Sequence, residues 1–422
     1  MKTSNKQTPT AKNADTADMQ VPFFRPSIGD AEIAEVERCL RSGWLTSGPN
    51  AKRFEADFAK VVGAAHALAV NSCTAALHLA VDALGLTADQ AVLVPTMTFA
   101  ATAEVVRYAG AMPVLVDCEP DTAHMDLNDA ARKLEQATSG KLPAAQGRKL
   151  SVVGMIPVHV GGHMLDMSAV NALATRNNLW VVEDAAHALP AAWRAAEDQP
   201  WQYCGQDTAA VSCYSFYANK TITTGEGGMA VTADAELAGR MRLMALHGLS
   251  RDAWDRYSGG GSWDYQIVEA GYKYNMTDVA AAIGVHQLER VESMRVDRET
   301  IAKAYLNDLA DIAQIELPLV PVNRIHAWHL FPIRLRLETL SVDRNTFLDE
   351  LRARGVGCSV HWRPLHLHPY YRERFGWTPR DLPVASKLWE RVISLPLFPG
   401  MQEAERLHVV DVVRNLCTQH GR

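Results

Sequence analysis

Between residues 61 and 232 the chain alternates short apolar runs with amphipathic stretches. The runs are AHALAVNS (65–72), AVLVP (91–95), MPVLVD (112–117), SVVGMIPVHV (151–160), LWVVED (179–184), AAVSCYSF (209–216) and MAVT (229–232). They are rich in Val and bounded by polar, Gly or Pro residues. Near-continuous apolar strands imply a sheet buried on both faces, the parallel α/β arrangement. The stretches between them read as helices. After Ser72, the positions Leu77, Ala80, Val81 and Leu84 form one apolar stripe. Asp166 and Ser168 open a helix through Val170, Leu173 and Ala174. Ile33, Val36, Glu37 and Leu40 predict an amphipathic helix starting near Gly29-Asp30.

Residues 137–150 read as a surface loop, and 250–271, with its GGGS, carries no period. After Thr277 the pattern changes. It predicts a long helix (277–313), a strand at HLFPIRLRL (329–337), a helix (344–354), an extended VGCSVHW (356–362) and a closing helix from about 402. The expected organisation is a flexible tail (1–20), a large domain (21–262) and a smaller C-terminal α+β domain (263–422).

Composition narrows the function. The 422 residues are 48% hydrophobic and 21% charged, with a net charge of −6. No basic block is present, so a nucleic-acid partner is not expected. No apolar run reaches the ~20 residues that span a bilayer. The polar start has no apolar core of a secretion signal, and seven scattered cysteines without CxxC spacing fit a reducing, cytoplasmic setting. There is no HExxH, Walker A loop or GxGxxG, and no metal is expected; the His361–His368 run reads as strand and loop near the substrate entrance.

In parallel sheets ligands sit beyond the carboxyl ends of the strands. After the first run come Ser72, Cys73 and Thr74 at a helix start, a place suited to an anion. After the second comes Phe99, an aromatic that can lie on a planar ligand. After the fifth come Asp184 and His187. An acid at a buried strand end needs a cationic partner, and a pyridinium nitrogen serves. After the sixth come Ser215 and Lys220, then a Gly-rich loop. Desolvation makes such a Lys a usable nucleophile or base. Anion cradle, stacking ring, buried acid and Lys together form a set able to hold pyridoxal phosphate (PLP).

The chain resembles the sugar aminotransferases of the DegT/DnrJ/EryC1/StrS family, from about Phe23 to Pro399. The motifs are RPSIGDAEIAEVERCLRSGWLTSGP, NSCTAALHLA, PTMTFAATA, PVHVGGHMLDM, VVEDAAHA, SFYANKTITTGEGGM, GYKYNMTDVAAA and PLHLHPYY. The resemblance implies the type I PLP-dependent transferase fold, with a mainly parallel central sheet flanked by helices. It implies Lys220 as the Schiff-base lysine, Asp184 at the pyridine nitrogen, His187 at the ring hydroxyl and Phe99 stacked on the ring. Cys73 (through its backbone N–H), Thr74 and Ser215 would hold the phosphate. An Asn from a partner subunit completes that site in relatives; Asn275 is the candidate, with Lys273 the competing position. Trp44, Thr46 and Ser47 would line the sugar pocket. The resemblance further implies a homodimer with shared active sites, its 247–275 segment reaching across. L-glutamate would be the amino donor and a nucleotide-linked 4-ketosugar, UDP-linked in the first instance, the acceptor. The competing readings are an aminotransferase acting on a non-nucleotide cyclic ketone, a related PLP-dependent ketosugar dehydratase, disfavoured by Lys220, and a non-catalytic regulator of the same fold.

Overall fold

The computed structural model describes residues 19–249 and 266–422. Most of the expected tail and the expected domain boundary at 262 lie outside the described residues. Each of the seven apolar runs supplies one strand of a central sheet. The first five are β1 (His66–Val70), β2 (Gln90–Pro95), β3 (Met112–Val116), β4 (Ser151–Met155) and β5 (Trp180–Asp184). Two short strands, β6 (Ala192–Trp193) and β7 (Gln202–Tyr203), leave the sheet; β8 (Val211–Ser215) and β9 (Gly228–Thr232) return to it. The order is β1-β9-β8-β5-β4-β2-β3. Pairing from β8 through β3 is parallel, whereas β9 runs antiparallel to both neighbours.

Helices cover the sheet because its residues are apolar on both faces; all five residues of β3 and of β9 are buried. In chain order they are α1 (Asp30–Ser42), α2 (Pro49–Val62), α3 (Cys73–Ala83), α4 (Ala101–Tyr108), α5 (Leu127–Ser139), α6 (Met167–Arg176), α7 (Ala235–Ala245), α8 (Asp278–Glu289) and α9 (Val291–Asp308). Short polar side chains start five of them. Ser72 Oγ accepts the Ala75 N–H at 3.1 Å, and Asp166 Oδ1 accepts the Ala169 N–H at 3.2 Å.

A second apolar core lies under the C-terminal part. β10 (Ile315–Glu316), then β12 (Phe331–Leu335) and β13 (Val392–Leu395), form an antiparallel sheet, while β11 (Arg324–Ile325) pairs with β6. The helices here are α10 (Arg344–Ala353), α11 (Pro369–Phe375), α12 (Pro383–Trp389) and α13 (Glu403–His420). Phe331, Phe347, Leu351, Val413 and Leu416 fill this core, and Val21 joins it from the far end of the chain. α8 contributes Ala281, Val285 and Leu288 to the first core instead.

Four sequence expectations change. The 277–313 helix breaks at Arg290, whose guanidinium turns back to the Ser27 carbonyl at 2.7 Å and to Glu32. The 137–150 segment is not a plain surface loop: α5 runs to Ser139, and Leu142, Ala144, Ala145 and Leu150 are buried in the first core. Residues 356–362 make single bridges, Val356 with Val21 and Ser359 with Ser394, rather than a strand. Helix α1 turns its expected apolar stripe outward. Ile33 and Leu40 are exposed, while Glu32 and Glu35 are buried. Glu32 is compensated there: it accepts from Gln287 Nε2 at 2.7 Å and pairs with Arg290. Among the described residues no helix is long and apolar enough to cross a membrane.

Candidate active site

Beyond the carboxyl ends of β1, β2, β5 and β8 lies a cavity of about 590 Å³. Its wall includes Cys73, Thr74, Phe99, Asp184, His187, Ser215 and Lys220. The sheet brings together seven residues spread over the sequence because its parallel strands end on the same edge.

Asp184 ends β5 and is 5% exposed. Thr102 Oγ1 donates to its Oδ2 at 2.7 Å, and the Ala186 N–H donates to Oδ1 at 3.2 Å. Burial still raises its pKa above the usual carboxylate range; those two hydrogen bonds offset only part. Lys220 follows β8 on a turn closed by its own N–H to the Tyr217 carbonyl, 2.9 Å. Its amine is enclosed by the cavity wall. Burial lowers its pKa to about 8, against the opposing pull of Cys73 and Asp184. The cavity thus holds a reluctant acid and a reluctant cation.

His187 is 7% exposed, and burial holds its pKa well below the ordinary imidazole value. Its Nδ1 lies 3.2 Å from the Gly161 N–H. A ring nitrogen that accepts leaves the other as donor, so the neutral ring carries its proton on Nε2. Trp362 stacks on this ring, centroids 5.1 Å apart and planes 19° apart, and His329 packs at 4.1 Å.

The anion cradle is built from backbone. Ser72, Cys73 and Thr74 meet the cavity at the positive end of α3. Gly228 lets this turn lie close: a Cβ there would come within 2.5 Å of the Ser72 carbonyl carbon. The Cys73 thiol sits 3.5 Å from the Cys213 carbonyl oxygen. Phe99 is 64% exposed, so it is a ring at the cavity mouth rather than a core residue.

Trp44, Thr46, Ser47 and Asn275 do not line this cavity. They form a separate cluster on their own chain. Trp44 Nε1 donates to the Ser47 carbonyl at 3.1 Å, Asn275 Nδ2 donates to Ser47 Oγ at 2.7 Å, and the Thr46 carbonyl accepts the Asp278 N–H at 3.2 Å. Lys273 Nζ also donates to Asn275 Oδ1.

Sequence reasoning left out several groups that do line it: Asn219, Glu226 and His329. It also left out Thr102, which holds Asp184. The His361–His368 run divides: His361 and Trp362 line the cavity, whereas His366 is buried elsewhere between Thr96 and Ser386. Spacing offered one signal, since Thr102 falls three residues past Phe99 at the start of α4. None marked His329, which arrives from the other core.

Behind Asp184, on the opposite side of β5, Glu183 is fully buried. It accepts from Thr208 Oγ1 at 2.7 Å, from Ser212 Oγ, and from His159 Nε2 at 3.2 Å. Burial would raise its pKa, but hydrogen bonds led by His159 outweigh it and hold the acid below its usual range. His159, Glu183 and Cys204 come close enough to surround a metal ion. The Leu165 N–H, however, donates to His159 Nδ1 at 3.3 Å, which puts the ring proton on Nε2 and leaves no lone pair there. The cluster is a hydrogen-bond network.

A profile of the DegT/DnrJ/EryC1/StrS aminotransferase family matches residues 26–414. The chain is 40% identical over 397 residues to the spore coat polysaccharide biosynthesis protein SpsC of Bacillus subtilis, covering 94% of this chain and 97% of that one. It is 40% identical over 403 residues to the uncharacterized protein MJ1066 of Methanocaldococcus jannaschii, covering 95% and 98%. Among solved structures it is similar to Spr1654 of Streptococcus pneumoniae, named a candidate sugar aminotransferase, in its PLP form. That comparison gives 29% identity and a TM-score of 0.83, covering 95% of this chain and 99% of the other. The chain belongs to the DegT/DnrJ/EryC1/StrS aminotransferase family. It has the type I fold of PLP-dependent transferases, and its cofactor is PLP.

The residues present fit that cofactor. A cationic pyridine nitrogen answers the raised pKa of Asp184, which has no basic side chain bonded to it. The neutral His187 offers Nε2–H to a ring oxygen. A helix N-terminus suits a phosphate, and Lys220 has an amine that loses its proton near pH 8.

Proposed function

We propose that this chain moves an amino group from L-glutamate to a nucleotide-linked 4-ketosugar, with UDP the first nucleotide to try, and that it works as a homodimer with shared active sites. One observation carries the reading: the Lys220 amine and the Asp184 carboxylate share one enclosed cavity at the strand ends. The similarity to SpsC supports a sugar acceptor. Seven unpaired cysteines support a reducing, cytoplasmic setting.

When bound, PLP supplies an electron sink for the carbon that exchanges its amine. The chain's residues do the rest. The Asp184 carboxylate keeps the pyridine nitrogen protonated. His187 Nε2 donates to the ring oxygen and fixes the ring's rotation. Thr74, Ser215 and the backbone N–H of Cys73 hold the phosphate, and Phe99 covers the ring. Lys220 Nζ would anchor the cofactor and, when free, would carry a proton to and from the reacting carbon. Its depressed pKa suits both tasks. The Ser47–Asn275 cluster lies outside its own chain's cavity, as a contribution to a partner's site requires.

The test is a two-step turnover. Purified holoenzyme is treated with L-glutamate, freed of it, and offered UDP-, dTDP- and GDP-linked 4-keto-6-deoxyhexoses beside keto-inositol. Amination of one nucleotide sugar, with ping-pong kinetics, is expected. Amination of keto-inositol alone would replace the substrate class, and no cofactor band at all would favour a regulator.

A further inference from the structure

Helix α9 sends one charged side chain inward. Arg298 is 2% exposed, and its Nη1 donates to two backbone carbonyls, that of Leu397 at 2.9 Å and that of Trp328 at 3.2 Å. Trp328 has a φ of +49°, a left-handed conformation that a bulky residue keeps only where its surroundings hold it. Here they hold it at both ends. Arg298 takes the carbonyl, and the Trp328 N–H donates to His326 Nδ1 at 2.8 Å. The flanking residues are tied to the glycine turn beside the cavity. The Ala327 N–H donates to the Gly162 carbonyl at 2.9 Å, and the Leu330 N–H to the Gly161 carbonyl at 3.2 Å. The approach is close: a Cβ on Gly162 would lie 2.9 Å from Ala327 Cβ.

What this turn delivers is His329. Its ring lines the cavity and packs on His187, centroids 4.1 Å apart, while neither of its ring nitrogens has a hydrogen-bond partner. His329 therefore acts on its neighbour by shape rather than by a polar bond. The Gly161 N–H fixes one atom of the His187 ring, and the packed rings of His329 and Trp362 fix its plane. We infer that Arg298 and His329 are positioning residues for His187: the guanidinium holds the Trp328 turn, the turn sets His329 against His187, and the His187 Nε2–H is thereby aimed at the cofactor's ring oxygen. This rests on the role proposed above for His187. It also gives a buried guanidinium a task suited to its planar head, which bonds two carbonyls at once. The C-terminal core, to which Trp328 and Leu397 belong, would thus set the angle of a side chain in the cofactor cavity.

The experiment titrates PLP into the full-length apoprotein and reads both the affinity and the absorbance maximum of the bound cofactor. His187→Ala is expected to weaken PLP roughly tenfold, the weight of one hydrogen bond in a buried site. It should also move the absorbance maximum, because the ring oxygen belongs to the chromophore. Arg298→Met and His329→Ala are each expected to weaken PLP and to displace the band in the same direction. Combined with His187→Ala, either change is expected to add little, since the group being positioned is already gone. A merely structural contribution would multiply instead. Arg298→Lys keeps a donor for the carbonyls, and His329→Phe keeps a flat ring against His187, so each is expected to recover most of the affinity. His329→Ala strands neither carbonyl and carries the test where Arg298→Met does not fold. Multiplicative losses in either combination, or a loss in His187→Ala with none in the other two, would overturn this inference alone. A His187→Ala protein that binds PLP as the wild type does would overturn the role of His187, and this inference with it.

Discussion

Glu183 and Asp184 are neighbours on β5 and face opposite ways. Behind the strand, Glu183 is surrounded by donors and keeps its charge easily. In front, Asp184 has two donors and faces the cavity, and its charge is costly. The same residue class, equally buried, has been made content on one side and unsatisfied on the other. Satisfied polar groups hold a fold together, while unsatisfied ones mark where a ligand belongs. The contrast is physical because strand side chains alternate between faces.

The sharpest attempt to break this contrast is at its front. Lys220→Ala should abolish transamination, on the order of 10⁴-fold or more, with loss of the cofactor's protein-bound absorbance band. If that variant turns over normally, the cavity is not where the chemistry occurs. Asp184→Asn should lower kcat/KM by ~10²–10⁴ while leaving the apoprotein's unfolding midpoint unchanged or higher, because it removes a charge that folding already disfavours. Thermal scans of the apo form beside steady-state rates give both numbers.

Glu183→Ala should do the reverse. It strands Thr208, Ser212 and His159 without their common acceptor, so stability should fall by ~3–5 kcal/mol, read by denaturant titration. Activity per folded molecule should change much less than in Asp184→Asn. A Glu183 variant that is stable but inactive would erase the distinction between the two sides.

The smallest effect concerns protons. The neutral amine of Lys220 is the form that attacks an aldehyde, and its pKa is lowered to about 8. Uptake of PLP by the apoenzyme should therefore quicken with rising pH, about tenfold per unit below 8, and level off above it. A rise continuing toward 10.5 would mean a solvated amine. Stopped-flow absorbance across pH 6.5–9.5 tells them apart.

The main sheet was legible in the sequence because its strands are buried on both faces and so appear as unbroken apolar runs. That Asp184, Lys220 and Phe99 would share one cavity wall was legible because ligands gather at strand ends. What escaped is instructive. Helix α1 shows an apolar stripe, yet the stripe faces outward and the acids Glu32 and Glu35 face in. Periodicity reports that a helix has two faces; which one is covered depends on partners such as Gln287 and Arg290, far along the chain. The break at Arg290 depends on the same contact. His329 escaped for a related reason: its neighbour His187 lies more than a hundred residues earlier, and no local pattern records that pairing.

That distance bears on how the enzyme is made. The amine of Lys220 leaves the ribosome long before Trp362, whose ring covers His187. A nascent chain paused between them already has strand ends, acid and lysine but lacks one wall. That wall is the last part of the cavity to be synthesised.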